Sequence, residues 1–419
     1  MKVLVIGSGA REHAIVRALQ TDPEVAAVDA APGNPGIAEV ATCHGLDGGV
    51  ADSDAVVQLA RQLGPDLVVI GPEVPLVAGV ADALRDAGFA VFGPSAQAAQ
   101  LEGSKAFAKE VMAAADVPTA RCYVCSESGQ VAAALEATGA PYVVKDDGLA
   151  AGKGVVVTDS VDEAMDHAQG CFAAGGSVVV EEFLSGPEVS LFCITDGFTV
   201  VPLAPAQDFK RVGDGDEGPN TGGMGAYSPL PWAPDGLVDE VVSRVAQPTI
   251  DEMRRRGTPF AGVLYVGLAL TPAGPRVIEF NARFGDPETQ VVLARLRNPL
   301  GVLLHAAAVG ALDQQPPLVW REEAAVTVVV ASEGYPGTPR TGDVLGGLPE
   351  GDDTAYVLHA GTARDDAGAL VSSGGRVLSC VGIGPDLAAA RAAAYRIVDG
   401  ISLADSHHRT DIARTAAGD

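Results

Sequence analysis

The sequence predicts a multidomain α/β protein whose N-terminal part forms a parallel, doubly wound sheet. Three observations support this. The 419 residues exceed what one hydrophobic core of ~150 residues usually organises. A content of 47% apolar and 20% charged residues is typical of a globular chain. The first hundred residues alternate short β-branched stretches with helical periodicity, which is the pattern of βαβ units.

Turn residues follow the predicted N-terminal strands. Gly7-Ser-Gly9 follows the first strand, and Gly71-Pro-Glu73 follows the third. Ligands of open α/β sheets bind at the carboxyl ends of the strands, so we expect a binding site at these turns. The pattern places strands at 3–6, 25–30, 67–70 and 90–92 and helices at 11–19, 54–62 and 77–87.

The rest of the chain predicts further α+β units. A helix at 104–115 precedes strands at 121–124, 142–145, 155–158 and 178–182 and helices at 129–138 and 161–169. The segment 207–229 holds six glycines and is too long for a simple connection, so we interpret it as a binding loop or lid. A helix at 237–256, strands at 262–270 and 276–281 and helices at 289–296 and 299–311 come next, and the residues from 324 onward predict short strands, a hairpin at 373–375 and a helix at 387–398.

Charge and targeting signals exclude several classes of function. The net charge of −26 and the isoelectric point near 4.5 disfavour nucleic acid or an anionic membrane as a partner. No apolar run approaches the ~18 residues of a membrane span, and residues 1–9 lack the core of a secretory signal. We therefore expect a cytoplasmic protein with reduced thiols. Cys122 and Cys125, three apart on an extended stretch, should face opposite ways rather than bind zinc.

Lysines are rare in this chain and lie at informative positions. The 28 basic residues comprise 22 arginines and 6 lysines. A lysine approaches a phosphate as a compact point charge, which an arginine does not. Lys105, Lys145, Lys153 and Lys210 lie in glycine-rich or strand-flanked stretches, although chance surface placement is the alternative.

A glycine-rich stretch, Gly148-Leu-Ala-Ala-Gly-Lys-Gly154, joins two predicted strands. It is one residue shorter than a P-loop, and Gly154 replaces the Ser or Thr that would bind magnesium. Its backbone amides, with Lys145 and Lys153 beside them, would instead suit a β-hairpin that closes over a triphosphate.

A candidate metal site lies in Val277-Ile-Glu-Phe-Asn281. Period-two alternation sends Val277, Glu279 and Asn281 to one face of the strand. Two oxygen ligands ~6.6 Å apart on that face can converge on an octahedral magnesium ion. An exposed polar face is the alternative. The charged residues concentrated at 283–288 favour a site.

Two other stretches bear on nucleotide binding. The predicted strand at 178–182 leads into a loop that contains Glu188. The strand backbone could pair with an adenine edge, and a carboxylate could bind ribose hydroxyls. A purely structural strand end explains the pattern equally well. The turn Gly7-Ser-Gly9 could hold an anion at a helix N-terminus. A nicotinamide dinucleotide, which Asp29 would support, conflicts with Glu12 at the place of the third glycine.

Eight segments form a set that covers essentially the whole chain. They are Gly7-Ser-Gly-Ala-Arg-Glu-His-Ala14, Ala31-Pro-Gly-Asn34, Val69-Ile-Gly-Pro-Glu-Val-Pro-Leu76, Leu101-Glu-Gly-Ser-Lys-Ala-Phe107, Asp147-Gly-Leu-Ala-Ala-Gly-Lys-Gly154, Gly218-Pro-Asn-Thr-Gly-Gly-Met-Gly-Ala-Tyr-Ser-Pro229, Glu279-Phe-Asn-Ala-Arg-Phe-Gly-Asp-Pro-Glu-Thr-Gln290 and Tyr335-Pro-Gly337. With these segments the chain resembles the phosphoribosylamine–glycine ligase family of the ATP-grasp superfamily. The resemblance implies a Rossmann-like (pre-ATP-grasp) substrate domain at 1–103, an α+β ATP-grasp domain at 104–323 with a nucleotide-clamping subdomain at about 121–188, and a small, mostly-β C-terminal domain at 324–419.

The resemblance also implies a reaction. ATP phosphorylates the carboxylate of glycine, and the amine of 5-phosphoribosylamine then displaces phosphate to give glycinamide ribonucleotide, which is the second step of de novo purine biosynthesis. ATP would be a substrate, Mg²⁺ or Mn²⁺ the cofactor, and the partners small molecules only. Such chemistry needs positioning and charge neutralisation more than a protein nucleophile. We expect a monomer, although the sequence does not determine the oligomeric state.

Roles for individual residues follow from the same resemblance. Arg283, Lys145 and Asp208 are the expected catalytic residues. The expected ATP-binding residues are Lys105, Lys145, Gly148, Gly152, Lys153, Glu181, Phe183, Leu184 and Glu188. The expected substrate-binding residues are Gly9, Glu12, Asn34, Glu73, Lys210, Gly222, Gly223, Met224 and Arg283, and the expected metal ligands are Glu279 and Asn281.

Several positions depart from the usual pattern of that family. Asp146 stands where Ala is common, and alternation should turn it away from Lys145. Phe209 replaces a common His, so a proton-transfer role there cannot be carried over; Ser8 and Ala10 replace Asn and Gly. Three alternatives stay open: another ATP-grasp enzyme acting on a different acid, a nicotinamide-dependent oxidoreductase, and a nucleotide-binding protein without turnover.

Overall fold

The N-terminal part of the molecule is a five-stranded sheet with helices on both faces. The computed structural model describes residues 1–149 and 154–418 of the chain. The strands are β1 (Lys2–Gly7), β2 (Ala27–Pro32), β3 (Thr42–Cys43), β4 (Leu67–Ile70) and β5 (Val91–Phe92), and the helices are α1 (Ala10–Gln20), α2 (Ser53–Leu63), α3 (Glu73–Val77), α4 (Val80–Asp86) and α5 (Gln100–Gly103). All strand pairs are parallel, in the order β3-β2-β1-β4-β5. The predicted doubly wound sheet is confirmed, and β1 lies at its switch point, where ligands bind.

One predicted N-terminal helix is wrong in its bounds. The stretch 77–87 was expected to be continuous, but Gly79 adopts φ +87° between α3 and α4. That left-handed conformation interrupts the helix.

A smaller antiparallel sheet follows. Its elements are α6 (Lys105–Ala114), β6 (Cys122–Cys125), α7 (Ser128–Thr138), β7 (Tyr142–Asp146), β8 (Val155–Thr158), α8 (Val161–Ala173) and β9 (Val178–Glu182). The strand order is β6-β9-β7-β8, and a separate apolar core under α7 and α8 includes Val131, Leu135 and Val180. Cys125 points into that core, whereas Cys122 is half-buried near Lys109. The two thiols therefore face opposite sides of β6, as alternation predicts.

The next segment supplies all four strands of a second antiparallel sheet, the central sheet of the molecule. Its elements are β10 (Glu188–Asp196), β11 (Val200–Pro202), β12 (Gln207–Asp208), β13 (Arg211–Gly213), β14 (Glu217–Asn220), β15 (Gly225–Ser228), α9 (Leu237–Val241), α10 (Gln247–Arg255), β16 (Ala261–Thr271), β17 (Gly274–Asn281), α11 (Glu288–Arg295) and α12 (Leu300–Val309). A π-helical turn, Val242–Ala246, joins α9 to α10. The antiparallel sheet β11-β10-β16-β17 lies beside the small sheet.

The C-terminal sheet is built from two distant parts of the chain. The elements of the C-terminal region are β18 (Ala324–Ala331), β19 (Ala355–His359), β20 (Thr362–Arg364), β21 (Leu370–Ser372), β22 (Arg376–Gly384), α13 (Leu387–Val398) and α14 (Arg414–Ala417), of which β20 and β21 form a separate two-stranded sheet. The strand order is β12-β15-β18-β22-β19. The interpretation of 207–229 as a loop is wrong in this respect, because β12 and β15 join this sheet while β13 and β14 pair with each other.

The hairpin predicted at 373–375 is also wrong. The strand before it, β21, pairs with β20, whereas β22 after it pairs with β18 and β19. The glycine-rich turn therefore joins strands of two different sheets.

Among the described helices, none combines the length and apolar character needed to cross a membrane.

Candidate active site

A cavity of about 710 Å³ lies where the N-terminal, small, central and C-terminal sheets meet. Of the residues expected to bind ATP, substrates or metal, those that line it are Glu73, Lys105, Lys145, Gly148, Glu181, Phe183, Leu184, Glu188, Asp208, Lys210, Gly222, Glu279, Asn281 and Arg283. Gly9, Glu12, Asn34, Gly223 and Met224 lie outside that lining. Gly152 and Lys153 fall outside the described residues.

A buried ion cluster forms one wall. Lys145 on β7 lies 3.0 Å from Oε2 of Glu181 on the neighbouring β9, and its ammonium donates to the carbonyl oxygen of Ile278 at 2.9 Å. Lys109 on α6 lies 3.1 Å from Oε1 of the same carboxylate. All three charged side chains are at most 7% exposed. Burial of such charges is tolerated only because they are paired, and an anionic ligand would find two cations fixed here.

The glycine-rich stretch is anchored to the start of α6. The carboxylate of Asp147 accepts hydrogen bonds from the Ser104 hydroxyl and the Ala106 N–H, both at 3.1 Å. The ammonium of Lys105 donates to the carbonyl oxygen of Gly148 at 2.8 Å. Lys105 on α6 and Lys145 on β7 therefore both reach the cavity, and the hydrogen bond to Gly148 holds α6 close to the segment that follows β7.

Strand β17 contains a bulge that changes the predicted alternation. Glu279 pairs with Gly267 and Val277 with Leu268, which leaves Ile278 as an extra residue. The prediction that Val277 shares a face with Glu279 and Asn281 is wrong, because Val277 is fully buried in the apolar core. Glu279 and Asn281 both reach the cavity.

The donor set of Glu279 and Asn281 fits a hard divalent cation. Across residues 1–149 and 154–418, the Glu279 carboxylate has neither a hydrogen bond nor an ion pair. The Asn281 amide, with its nitrogen turned toward Glu102 Oε1 at 3.2 Å and the carbonyl oxygen of Phe280 at 3.2 Å, directs its oxygen away from both acceptors. A carboxylate and an amide oxygen are ligands that Mg²⁺ or Mn²⁺ accepts.

Arg283 is fixed by two carboxylates from the N-terminal part of the chain. Its Nε lies 3.2 Å from Glu73 and its Nη2 3.0 Å from Glu102. Burial raises the pKa of Glu102, and the charge of Arg283 opposes that rise. Burial also acts to raise the pKa of Glu73, but the charges of Arg283 and Arg11 outweigh this effect, so the pKa of Glu73 falls. The guanidinium is thus oriented by charge rather than left mobile.

Asp208 and Lys210 form a second charged group in the lining of the cavity. The ammonium of Lys210 lies 2.6 Å from Glu188 and 3.2 Å from Asp208. Burial raises the pKa of Asp208 to about 7, with the Lys210 charge opposing and Glu288 adding to the rise. The charge and hydrogen bond of Lys210 lower the pKa of Glu188 against the effect of burial, with Lys145 and Arg211 adding to the fall. A carboxyl group that titrates near neutrality can exchange a proton with a ligand.

The N-terminal turns are held together by Glu12. Its carboxylate accepts from the Gly9 N–H and from Arg11 Nε, both at 2.6 Å. A Cβ atom at Gly71 would lie 2.0 Å from Glu12 Oε1, so the chain passes too close for any side chain there. Glu12 fills the space between the turns, which explains why a glycine is absent at its position.

Asn34 has a similar bridging role. Its side-chain amide donates to the carbonyl oxygens of Ser8 at 2.8 Å and His359 at 2.9 Å, and its side-chain oxygen accepts from the Ile37 N–H at 2.9 Å. It therefore ties the turn after β1 to the end of β19.

The positions that depart from the family pattern are accommodated locally. The Asp146 carboxylate lies beside Gly176, away from the lining of the cavity, as alternation predicts. Phe209 packs against Tyr227, and the guanidinium of Arg409 stacks on its ring at 4.9 Å. The N–H of Met224 donates to the Phe209 carbonyl oxygen at 2.7 Å.

Three residues of the site were not assigned a role from the sequence. Glu102 lies within a quoted motif, but nothing in that motif indicates that it pairs with Arg283. Lys109 stands one helical turn after Lys105, which was a usable signal for a shared face. Arg376 lies in the C-terminal region outside every quoted motif, yet it lines the cavity.

Comparisons with known proteins identify the family. Three models of phosphoribosylglycinamide synthetase match: its N domain at residues 1–102, its ATP-grasp (A) domain at 103–289 and its C domain at 325–415. A phosphoribosylamine–glycine ligase from Streptomyces coelicolor is 68% identical over 100% of both chains. The chain belongs to the phosphoribosylamine–glycine ligase family. The resemblance inferred from the eight segments is thereby confirmed.

Solved structures agree with membership of the phosphoribosylamine–glycine ligase family. The crystal structure of phosphoribosylamine–glycine ligase from Thermotoga maritima matches with a TM-score of 0.85 at 33% identity, covering 98% of this chain and 100% of that one. A biotin carboxylase domain from Hydrogenobacter thermophilus, crystallised with MgADP, matches with a TM-score of 0.74 at 15% identity, covering 97% and 91%. The second likeness concerns the fold alone; the ATP-grasp architecture is shown by the domain model matched at 103–289.

Proposed function

We propose that this chain joins glycine to 5-phospho-β-D-ribosylamine with ATP, giving glycinamide ribonucleotide, ADP and phosphate. The observation that carries the proposal is the single cavity in which Lys105 and Lys145, the Glu279–Asn281 pair and the anchored Arg283 meet. The reaction is the second step of de novo purine biosynthesis. An oxidoreductase is not supported, because Glu12 fills the place that a dinucleotide fingerprint leaves to glycine.

In the first step the γ-phosphoryl group passes from ATP to a carboxylate oxygen of glycine. Lys105 and Lys145 lie where they can neutralise phosphate oxygens, and by the family resemblance Gly148, Gly152 and Lys153 also bind ATP. Glu181, Phe183 and Leu184 receive adenine and Glu188 the ribose. Phe183 is 46% exposed, which suits a side chain that a base would cover. Transfer of this kind depends on positioning and charge neutralisation.

Glu279 and Asn281 would hold the divalent cation. Bound there, Mg²⁺ or Mn²⁺ would neutralise phosphate charge as a Lewis acid. Both residues line the cavity, as Lys145 and Arg283 do.

In the second step the amine of phosphoribosylamine attacks the carbonyl carbon of glycyl phosphate. The carbon–oxygen bond to phosphate breaks, phosphate leaves with that electron pair, and the amine loses a proton, for which ionised Asp208 is the acceptor. Arg283 stabilises the developing charge, and Gly222 and Lys210 line the same cavity.

The N-terminal turns grip the phosphoribosylamine. Glu73 reaches the cavity and pairs with Arg283, so it can contact the sugar beside the reacting group. Gly9, Glu12 and Asn34 contribute by fixing the turns, since their polar groups bond within the protein.

The setting of the enzyme is also a proposal. We infer a cytoplasmic monomer that binds small molecules but neither nucleic acid nor membranes. The net charge of −26 supports the last two points, because nucleic acid and anionic membranes would repel it. Its domains extend over 1–103, 104–323 and 324–419, the second with a nucleotide-clamping subdomain at about 121–188; the small sheet with its own apolar core supports that subdomain.

The test is product identification with purified protein. The mixture contains MgATP, glycine and phosphoribosylamine generated from ribose 5-phosphate and ammonia, and mass spectrometry detects glycinamide ribonucleotide. Alanine or serine in place of glycine serves as the control. Formation of an equal amount of another amino-acid amide would retain the ATP-grasp chemistry and overturn the proposed substrate.

A further inference from the structure

Two side chains of the C-terminal region hold one residue of the cavity wall. Gly222 lines the cavity. Its N–H donates to the hydroxyl oxygen of Tyr335 at 2.8 Å, and its carbonyl oxygen accepts from Nη1 of Arg376 at 2.6 Å. Both polar groups of this residue are therefore fixed from outside its own loop.

Arg376 links that residue to a second part of the wall. Its Nη1 also donates to the carbonyl oxygens of Asp286 at 2.7 Å and Gly223 at 3.4 Å, and its Nη2 lies 3.2 Å from Asp286 Oδ2. A planar guanidinium can satisfy three carbonyls and a carboxylate together, whereas an ammonium cannot keep that geometry. Arg376 therefore sets the spacing between the 222–223 and 286 segments.

The contact leaves little room for a side chain at residue 222. A Cβ atom on Gly222 would lie 3.0 Å from Cζ of Arg376. The next N–H, of Gly223, donates to the hydroxyl oxygen of Thr221 at 2.9 Å, and that hydroxyl donates to the carbonyl oxygen of Lys210 at 2.8 Å. The loop is thus a fixed surface whose shape depends on its contacts.

The glycine-rich turn before β22 seats Tyr335. A Cβ atom on Gly375 would lie 2.3 Å from Cδ2 of Tyr335, so the ring packs directly on this glycine. Ser332 bonds to the same turn, through its N–H to the Gly375 carbonyl at 2.8 Å and its hydroxyl to the Gly374 carbonyl at 2.9 Å. The turn therefore places Tyr335 and Arg376 on the two sides of Gly222.

We propose that Tyr335 and Arg376 are positioning residues for the glycine substrate. They hold the Gly222 peptide and the Asp286 segment at the spacing that glycine and its acyl phosphate require beside Arg283. This gives the C-terminal region a part in the chemistry. The inference rests on the proposed function, because it takes glycine to bind at this wall.

The test compares kinetic constants of Tyr335→Phe, Arg376→Lys and Arg376→Gln. Tyr335→Phe keeps the ring on Gly375 and removes one hydrogen-bond partner, so kcat/KM for glycine falls about threefold to tenfold. Arg376→Gln loses the charged fork, and the fall is about 30-fold to 100-fold. Arg376→Lys lies between wild type and Arg376→Gln. In all three variants the KM for ATP stays within about twofold of wild type.

Matched controls lie in the same region of the chain. Tyr395→Phe removes a hydroxyl that bonds to the carbonyl oxygen of Arg409 at 2.7 Å and to the Ile412 N–H at 3.1 Å, away from Gly222. Arg364→Gln removes an exposed guanidinium that bonds to Gly368. Both controls should alter thermal stability without changing the KM for glycine.

Three results overturn the inference: wild-type constants for glycine in Tyr335→Phe and Arg376→Lys, an equal rise in the KM values of glycine and ATP, or the same glycine effect in the controls. If Arg376→Gln does not fold, the two conservative variants decide. A wild-type protein that releases no ADP in response to glycine refutes the proposed function instead, so the two failures are distinguishable.

Discussion

Replacing Lys145 by methionine tests where ATP binds. Met fills a similar volume but removes the ammonium that contacts Glu181 at 3.0 Å and the Ile278 carbonyl at 2.9 Å. Breaking a buried ion pair usually costs about 3–5 kcal/mol because a charge is left alone. Here Glu181 keeps Lys109 at 3.1 Å, so we expect a loss of folding stability of only about 1–2 kcal/mol.

The catalytic effect of Lys145→Met should be larger than the structural one. Loss of one preorganised charge from a transition state typically costs about 3–4 kcal/mol, so kcat/KM for ATP should fall by about 10²–10³, while the KM for phosphoribosylamine stays within about twofold. Lys109→Met is the matched control, because Lys109 is also bonded to Thr119 at 2.8 Å and should lose stability with less than about a tenfold effect on turnover. Initial rates of ADP release with each substrate varied provide the measurement. Unchanged ATP kinetics with a raised KM for phosphoribosylamine would refute the placement of the two substrates.

Three further predictions concern metal and pH. Glu279→Gln should raise the Mg²⁺ concentration for half-maximal rate at least tenfold, and unchanged activity at limiting Mg²⁺ would contradict the metal assignment. Because burial raises the pKa of Asp208 to about 7, kcat/KM for phosphoribosylamine should rise about tenfold per pH unit below pH ~7 and then level. Asp208→Asn should lower the rate and abolish the rising part of this pH profile. An unchanged profile would count against proton transfer to Asp208. Burial lowers the pKa of His13 to about 3 and of His359 to about 4, from 6.5. The unfolded chain then binds protons that the folded chain does not, so the free energy of unfolding should fall as pH drops from about 6.5 toward 4, by at most about 1.4 kcal/mol per pH unit for each histidine. The urea midpoints of wild type and His13→Asn should therefore diverge over this pH window. Parallel curves would refute the assignment of this pH dependence to the buried histidines.

Local sequence patterns predicted the N-terminal sheet and the turns that follow its strands well. In this part of the chain strand length, β-branched content and turn glycines all indicate the same structure, and parallel strands bring their carboxyl ends to one edge. The strand Leu67–Ile70 was predicted with its observed bounds. The segment that holds Glu279 and Asn281 was also recognisable, since its charges are concentrated at a strand end.

Contacts between distant parts of the chain were not predictable in this way. The bulge at Ile278 depends on how β17 pairs with β16, and no residue within β17 signals it. The ion pairs of Arg283 with Glu73 and Glu102 join segments about two hundred residues apart. Recognition of β12 and β15 as part of the C-terminal sheet needed β18, which follows about a hundred residues later. These features depend on tertiary packing, which overrides local patterns.

Release of ADP with systematic omission of reactants is the measurement that tests the proposed function most directly. The complete mixture holds MgATP, glycine and phosphoribosylamine formed from ribose 5-phosphate and ammonia. We predict that ADP is released in stoichiometric amounts with glycinamide ribonucleotide and that release falls to background when any one component is omitted. Release that is independent of glycine, or nucleotide binding without turnover in every mixture, would contradict the assignment of this cavity as a ligase site.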